Sequence, residues 1–392
     1  MSKMQHVSSS LKLALSVLVL STLVTTFTRA EIITDSTPVP PAGTEGGPIA
    51  GLSAPELDQW MRGRKVFDRD WKLAEGLGTP ELNADSCRSC HQHPIIGAGG
   101  GLDTNVFRFG SDNNGNGPFS DLPGGQVASK LRRPDMPGRE ESNLSADVFE
   151  VRQTPSALGL GLVDTIFEAA ILANEDPFDT NGDGVRGVAR MLNVAGFLEV
   201  GRFGWKAQVP TVQDFARDAL GGETGITVPD DGRGFGALTD GDSVADPEIL
   251  PGDFADLVFY LETLAAPPRA GGTDPAIAAG EALFSTIGCA TCHIPSLPGS
   301  GGPVPLYSDL LLHDIHPASF RGMGEPDAPV GMYKTPVLWG VRNTAPYLHD
   351  GSATTLADAI DAHDDEAALV RAAFDNLTPT EQAAVLAFLA DL

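Results

Sequence analysis

Cys87-Arg88-Ser89-Cys90-His91 and Cys289-Ala290-Thr291-Cys292-His293 are the two stretches on which the reading of this chain turns. Both have the form C-x-x-C-H, and together they use all 4 cysteines of the 392-residue sequence. Two thiols three positions apart can each add to one vinyl group of a single porphyrin, and the His that follows is then placed to ligate the iron from the proximal side. One motif thus supplies both attachment and ligand. The same Cys spacing serves zinc sites and thiol redox pairs, but a zinc site wants four ligands in a closed tetrahedron, and it does not require a His directly after the second Cys. A disulfide framework is the other use of paired cysteines in an exported chain, and a chain of this length has core enough without one. The reading is therefore two covalent haem c groups, one on Cys87, Cys90 and His91, the other on Cys289, Cys292 and His293. His93 leaves on the proximal side and reads as a propionate or loop contact.

Outward from the motifs, the same order of elements recurs. Leu57, Trp60, Met61, Val66 and Phe67 stand at helical intervals before the first motif. Asp274-Pro275 opens a second helical run, with Ile277, Leu283, Phe284 and Ile287, before the second, and Gly280 weakens its middle. Each half closes on an apolar helix, around Phe254 to Leu261 and Ala383 to Leu389, a loose internal repeat. Thr378, Pro379 and Glu381 form a capping box for the last helix. Pro267-Pro268 and Gly271-Gly272 cannot continue a helix and mark a boundary. Stretches 97–145 and 221–250 are rich in Gly, Pro and Asp, show neither helical nor strand period, and read as loops around the haems. The expected fold is all-α, with two cytochrome c-like domains, 53–266 and 273–392, and long irregular loops.

Composition bounds the rest. Hydrophobic residues make up 42% and the formal net charge is -26, which describes a globular acidic chain and excludes nucleic acid and anionic membrane surfaces as partners. A cationic partner fits that charge. Residues 1–30 read as a signal peptide: Lys3 and Lys12 precede the apolar run from Leu13 to Val24, and Thr28-Arg29-Ala30 offers a small-residue cleavage site. Export to the periplasm follows, with an uncleaved anchor as the alternative. Residues 31–52, rich in Pro, Gly and Thr, read as a disordered leader. No other run approaches the roughly 18 to 20 apolar residues of a membrane span, so none is expected in the mature chain.

Several further stretches, in order, carry a resemblance. They are Gly76-Leu77-Gly78, Arg152-Gln153-Thr154-Pro155 with Gly159-Leu160-Gly161, and Gly201-Arg202-Phe203-Gly204-Trp205-Lys206-Ala207. Asp309-Leu310-Leu311-Leu312-His313-Asp314, Lys334-Thr335-Pro336-Val337-Leu338-Trp339-Gly340 and Leu348-His349-Asp350-Gly351 follow. From about residue 60 onward the chain resembles the di-haem oxidoreductases of peroxidase type, related to bacterial di-haem cytochrome c peroxidases and to MauG. The resemblance implies that hydrogen peroxide reacts at the N-terminal haem and that electrons enter at the C-terminal one from a small donor protein, a cytochrome c or a cupredoxin. It implies a distal pocket made by Gln213 and Glu223, with Glu223 handling the proton that O–O cleavage moves, for which a desolvated carboxylate is suited. It implies that Trp205 lies between the haems as an electron relay. As ordinary residues, Glu223 is a loop carboxylate, Gln213 a helix-surface amide and Trp205 a core side chain.

Two departures from the family pattern stand out. Trp205-Lys206-Ala207-Gln208 replaces the Trp-Asp-Gly-Arg of the cytochrome c peroxidases. Where those enzymes carry a distal Met for the C-terminal haem, the run from Leu356 ends in His363, the first choice for the sixth ligand. Met332 and His349 are lesser candidates, and His313 reads as a structural hydrogen-bonding group. Imidazole in place of thioether keeps iron low-spin and lowers its potential. Asp179, Asn181 and Asp183 match the opening of a Ca²⁺ loop, but Arg190 stands where an EF-hand needs Glu, so an Asx-rich turn competes with a looser calcium site. The stretch from Ser111 to Gly117 is a weaker case of the same kind. The expectation is a periplasmic di-haem peroxidase-like oxidoreductase, the alternatives being a pure electron-transfer cytochrome or MauG-like oxidation of a partner protein or organic substrate.

Overall fold

Thr378 and Glu381 start the last helix as their spacing predicts: the Glu381 carboxylate accepts from the Thr378 N–H at 2.8 Å, and the Thr378 hydroxyl accepts from the Glu381 N–H at 3.4 Å. The computed structural model describes residues 38–78, 82–117, 119–120, 122, 127–130 and 144–392. The expected signal peptide and residues 31–37 of the leader lie outside them. The helices are α1 (Ala54–Asp68), α2 (Leu160–Asp164), α3 (Glu168–Leu172), α4 (Val212–Ala219), α5 (Pro251–Glu262), α6 (Pro275–Thr286), α7 (Leu356–Asp361), α8 (Ala368–Asp375) and α9 (Pro379–Asp391). The strands are β1 (Val106–Gly110), β2 (Val127–Ala128), β3 (Val148–Arg152), β4 (Met191–Val194), β5 (Phe197–Val200), β6 (Leu297–Gly299), β7 (Gly302–Val304), β8 (Leu312–Asp314) and β9 (Met332–Lys334).

The all-α expectation is corrected: helix takes 31% and strand 14% of the described residues, the strands forming small antiparallel sheets. One sheet has the order β2-β1-β3, and β4-β5, β6-β7 and β8-β9 are two-stranded. Strands of two to five residues are too short for a two-residue alternation to show in sequence. Two of them, β1 and β2, lie in the stretch read as loop, and β1 pairs with β3 from Val106 opposite Arg152 to Gly110 opposite Val148. In 225–250 no strand occurs.

The internal repeat becomes concrete in two helix crossings. Gly63 on α1 sits against Asp256 and Tyr260 on α5, and Gly280 on α6 sits against Ala384 and Phe388 on α9. A Cβ at either glycine would overlap the carbonyl oxygen of Asp256 or Ala384, so Gly280 is present for close approach. Four residues after each glycine stands a Phe that joins the crossing to a motif histidine. Phe67 lies 5.3 Å from the Tyr260 ring and 6.1 Å from His91; Phe284 lies 5.3 Å from Phe388 and 6.3 Å from His293.

The larger core gathers Trp60, Phe67, Tyr260 and Phe254 with residues from beyond 273, among them Leu306, Leu311 and Trp339. The Trp339 indole donates to Leu158 O at 3.1 Å, so a polar group is satisfied inside it. A second core surrounds Phe284, Phe374, Val385 and Phe388. Each fully buried side chain of this size contributes about 1.5–3 kcal/mol. Residues 46–48, in the segment read as leader, are buried, and Ile49 N–H donates to Thr263 O at 2.8 Å. At the boundary, Arg269 Nε and the Ala270 and Gly272 N–H groups all bond Asp391, at 2.7, 2.7 and 2.8 Å. Among the described residues no helix is long and apolar enough to cross a membrane.

Candidate functional site

Each C-x-x-C-H stretch is a single turn, His91 N–H donating to Cys87 O and His293 N–H to Cys289 O, both at 3.0 Å. That turn brings thiols and imidazole to one side of the chain. All four cysteines are free of disulfides. Burial pushes Cys87 and Cys289 up to about 12 and Cys90 up to about 11, the reverse of the lowered values that reactive redox thiols need.

Three histidines share one construction. His91 Nδ1 meets Ala98 O at 3.1 Å, His293 Nδ1 meets Tyr307 O at 3.0 Å, and His363 Nδ1 meets Ala359 O at 2.7 Å. A carbonyl only accepts, so Nδ1 carries the hydrogen and Nε2 keeps its lone pair for a metal. Burial lowers the pKa of all three, His293 to about 4, and keeps them neutral. The charge of His363 adds to the depression of His293, which puts the two rings near each other.

A mostly apolar cavity of about 330 Å³, partly open to solvent, reaches His91, His293 and His363. Arg202 and Arg371 line the same cavity, and in each a buried Nε has no partner. Neutral imidazoles with free Nε2, protonated thiols, apolar walls and orphaned guanidinium nitrogens fit a porphyrin with carboxylate side chains at each motif.

Trp205 and His349 line this cavity too. The Trp205 indole donates to Gln153 O at 2.7 Å, and Gln153 N–H donates to His349 O at 2.7 Å, so one residue ties both. Glu223 stands on a π-helical turn, Leu220–Thr224, continuing α4. Its backbone carbonyl accepts from Asn83 and Ala84, and its carboxylate accepts from Asn83 Nδ2 at 3.0 Å, which fixes it beside the first motif. Burial pushes it up to about 7, against Asn83 and Lys130, and its charge acts on Cys90. Gln213 is not brought to Glu223: its amide donates to Asp231 at 3.1 Å. Neither Glu223 nor Gln213 lines the cavity, and Met332 instead packs beside Ala207, Leu312 and Ala328.

His313 is buried between Asp309, 2.8 Å from Nε2, and Glu366, 3.0 Å from Nδ1. Burial disfavours its charge, but the bond to Asp309, with those to Cys292 and Glu366, raises its pKa well above the ordinary value. With both nitrogens engaged it has no lone pair to offer. Asn181 and Asp183 are exposed and Asp179 is half-buried, and the three spend their oxygens on their own loop, accepting from Gly184, Asp183 and Val185 N–H at 3.1, 2.9 and 2.9 Å. They form no cluster of the kind found at Cys292, Asp309 and His313 or at Asp240, Asp246 and Glu248.

The sequence left other groups unread. Glu325 binds Arg108, Arg152 and Arg190 at 2.8, 2.8 and 2.7 Å, and against burial the charges of Arg152 and Arg108 hold it far below the usual carboxylate range. Lys206, fully buried, donates to Pro329 O and Met332 O at 3.0 and 2.8 Å. His316 and Tyr333 also line the cavity. The H-x-x-H spacing of His313 and His316, and the departure of Lys206 from the family pattern, were the sequence signals they offered.

The family profile described as "Di-haem oxidoreductase, putative peroxidase" matches residues 138–392. No curated protein matches the chain. Among solved structures, the chain is similar to Kuenenia stuttgartiensis hydrazine synthase pressurised with 20 bar xenon, at 17% identity and a TM-score of 0.43 over 92% of this chain and 98% of that one. It is also similar to a MauG-like protein associated with microbial copper homeostasis, at 18% identity and a TM-score of 0.42 over 92% of this chain and 94% of that one.

Proposed function

This chain belongs to the di-haem oxidoreductase family, and on that premise we propose that it is a periplasmic enzyme that reduces hydrogen peroxide with two covalently attached c-type haems. The observation that carries the reading is the single apolar cavity reaching both motif histidines, with Trp205 in its wall. Bound there, the haems would supply the two electrons that cleavage of the peroxide O–O bond takes. Peroxide reacts at the N-terminal site, and electrons enter at the C-terminal site from a small cytochrome c or cupredoxin. The net charge of -26 favours a donor with a cationic face.

The chain's own residues divide the work. Cys87, Cys90, Cys289 and Cys292 would form the thioether links, and His91 and His293 would hold iron through Nε2. His363 would give the C-terminal haem a second imidazole and close it to peroxide, which would leave the N-terminal site as the reactive one. Glu223, fixed beside the first motif by Asn83 and with a pKa near neutrality, would handle the proton that O–O cleavage moves. Export rests on the leader pattern in residues 1–30. Calcium is not part of the proposal, because the Asp179 loop uses its oxygens on its own backbone.

EPR of the oxidised holoprotein, followed by rapid mixing with H₂O₂, tests this. One low-spin haem with two imidazoles and one haem whose absorption changes with peroxide is the expected result. Two six-coordinate haems inert to peroxide would replace the enzyme by an electron carrier.

A further inference from the structure

One tyrosine of the cavity wall has no part in the chemistry so far. Tyr333, on β9, is buried, and its hydroxyl donates to Glu150 Oε2 at 2.8 Å. Its ring lies face to face with His349, centroids 4.0 Å apart and planes within 23°, and Lys206 Nζ stands 4.3 Å from its centroid. Trp205 is fastened to the same place, since its carbonyl accepts from the N–H of Lys334, the residue after Tyr333, at 2.8 Å. Gln153 links Trp205 to His349 from the other direction.

Resting on the peroxide reading, we propose that Tyr333 is a redox-active residue of this enzyme, holding one oxidising equivalent as a neutral phenoxyl radical while Glu150 holds its proton. One electron leaves the phenol for the peroxide-oxidised N-terminal haem by way of Trp205. The O–H bond of Tyr333 breaks and an O–H bond forms on Glu150 Oε2. When a donor electron arrives, the phenoxyl is reduced and the proton returns, so charge and atoms balance over the cycle.

The surroundings favour this division between relay and store. An oxidised phenol is a far stronger acid than a carboxylic acid, so a carboxylate at hydrogen-bond distance collects its proton. Glu150 is ready as an anion, bonded to Arg152 Nε at 2.6 Å and to Met323 N–H at 2.7 Å. Trp205 lacks such a base. Its indole N–H faces the backbone carbonyl of Gln153, which cannot keep a proton, so an oxidised Trp205 only passes the equivalent on. Arg152 bonds Glu150 and Lys206 stands over the Tyr333 ring, while Arg108 and Arg190 join Arg152 on Glu325, so once Glu150 is neutralised this cationic cluster retains Glu325 as its anion. The stored equivalent therefore sits at high potential and is discharged by the next electron. Tyr307 also donates to a carboxylate, Glu281 at 2.8 Å, but it does not line the cavity.

The test is freeze-quench EPR of the holoprotein mixed with H₂O₂ in the absence of donor, with haem absorption followed in parallel. A tyrosyl radical coupled to one exchangeable hydrogen-bonded proton is expected in the wild type, and its loss in Y333F with the haem absorption change intact. E150Q should accumulate less of it. The chain has 4 tyrosines, and the triple variant Y260F/Y307F/Y347F, which leaves Tyr333 alone, should keep the signal. A haem response without any tyrosyl radical, or an unchanged radical in Y333F, overturns the proposal. Should peroxide leave the wild-type haems untouched, the peroxide reading has failed by itself. Photogenerated tris(bipyridine)ruthenium(III) then serves as the oxidant, and Tyr333 must still yield a radical that Y333F lacks.

Discussion

His293 and His363 line one cavity, each with Nδ1 bonded to a main-chain carbonyl, Tyr307 O at 3.0 Å and Ala359 O at 2.7 Å. The bonds fix both tautomers and leave each Nε2 with a lone pair that a metal could take, and on the proposed reading both would serve the C-terminal haem. H363A should therefore convert the C-terminal haem from low-spin to high-spin in the EPR spectrum. H363M should keep it low-spin and raise its midpoint potential, because thioether ligation raises potential. An H363A spectrum identical to wild type would remove His363 from the iron.

Glu223 sets an expectation for pH. Burial has pushed its pKa from 4.5 to about 7, so it becomes an acceptor only as pH rises towards neutrality. The rate of the peroxide reaction should climb along an acid limb centred near pH 7, and E223Q should flatten that limb and slow the reaction by about 10²–10⁴-fold. Stability runs the other way. A raised carboxyl pKa favours the folded state fully below 4.5, and that contribution is lost as pH rises through about 7. Urea unfolding at pH 5 and pH 8 should show E223Q gaining on wild type at the higher pH.

Glu325, in the second half of the sequence, is 8% exposed and serves three guanidinium groups from the first half. E325Q leaves those buried cations short of an anion and should destabilise the fold by about 3–5 kcal/mol in urea titrations. A loss below about 1 kcal/mol would mean that the cluster is solvated as a surface pair is.

At the helix crossing of α6 and α9 the expectation is steric. G280V drives a side chain into the Ala384 carbonyl, which cannot move aside without separating the helices. A cost of about 1–3 kcal/mol is expected, together with lower haem occupancy at the second motif, since Phe284 connects this crossing to His293. G63V should act in the same way on the first motif.

What the sequence made legible was whatever is local. The two C-x-x-C-H turns, the capping box of Thr378 and the helices before and after each motif depend on neighbours in the chain, and the structure has them. The sheets were not legible, because β1 and β3 pair across about 40 residues and are too short to show alternation. The Glu325 cluster was hidden for the same reason, its partners lying 135 and 217 residues away at Arg190 and Arg108. Lys206 was visible as a departure from the family pattern, but nothing in the sequence revealed that it is buried against Pro329 and Met332. Gly280 was read as a weak point in a helix when its lack of a side chain is what lets α6 meet α9.

The central claim is that both pairs of cysteine sulfurs carry porphyrin. Intact-protein mass spectrometry in denaturing acid measures this directly on the purified chain. The account requires the polypeptide mass plus two haems, and plus one haem in either C87A/C90A or C289A/C292A. A wild-type mass equal to the bare polypeptide, or haem released by the acid, would contradict it.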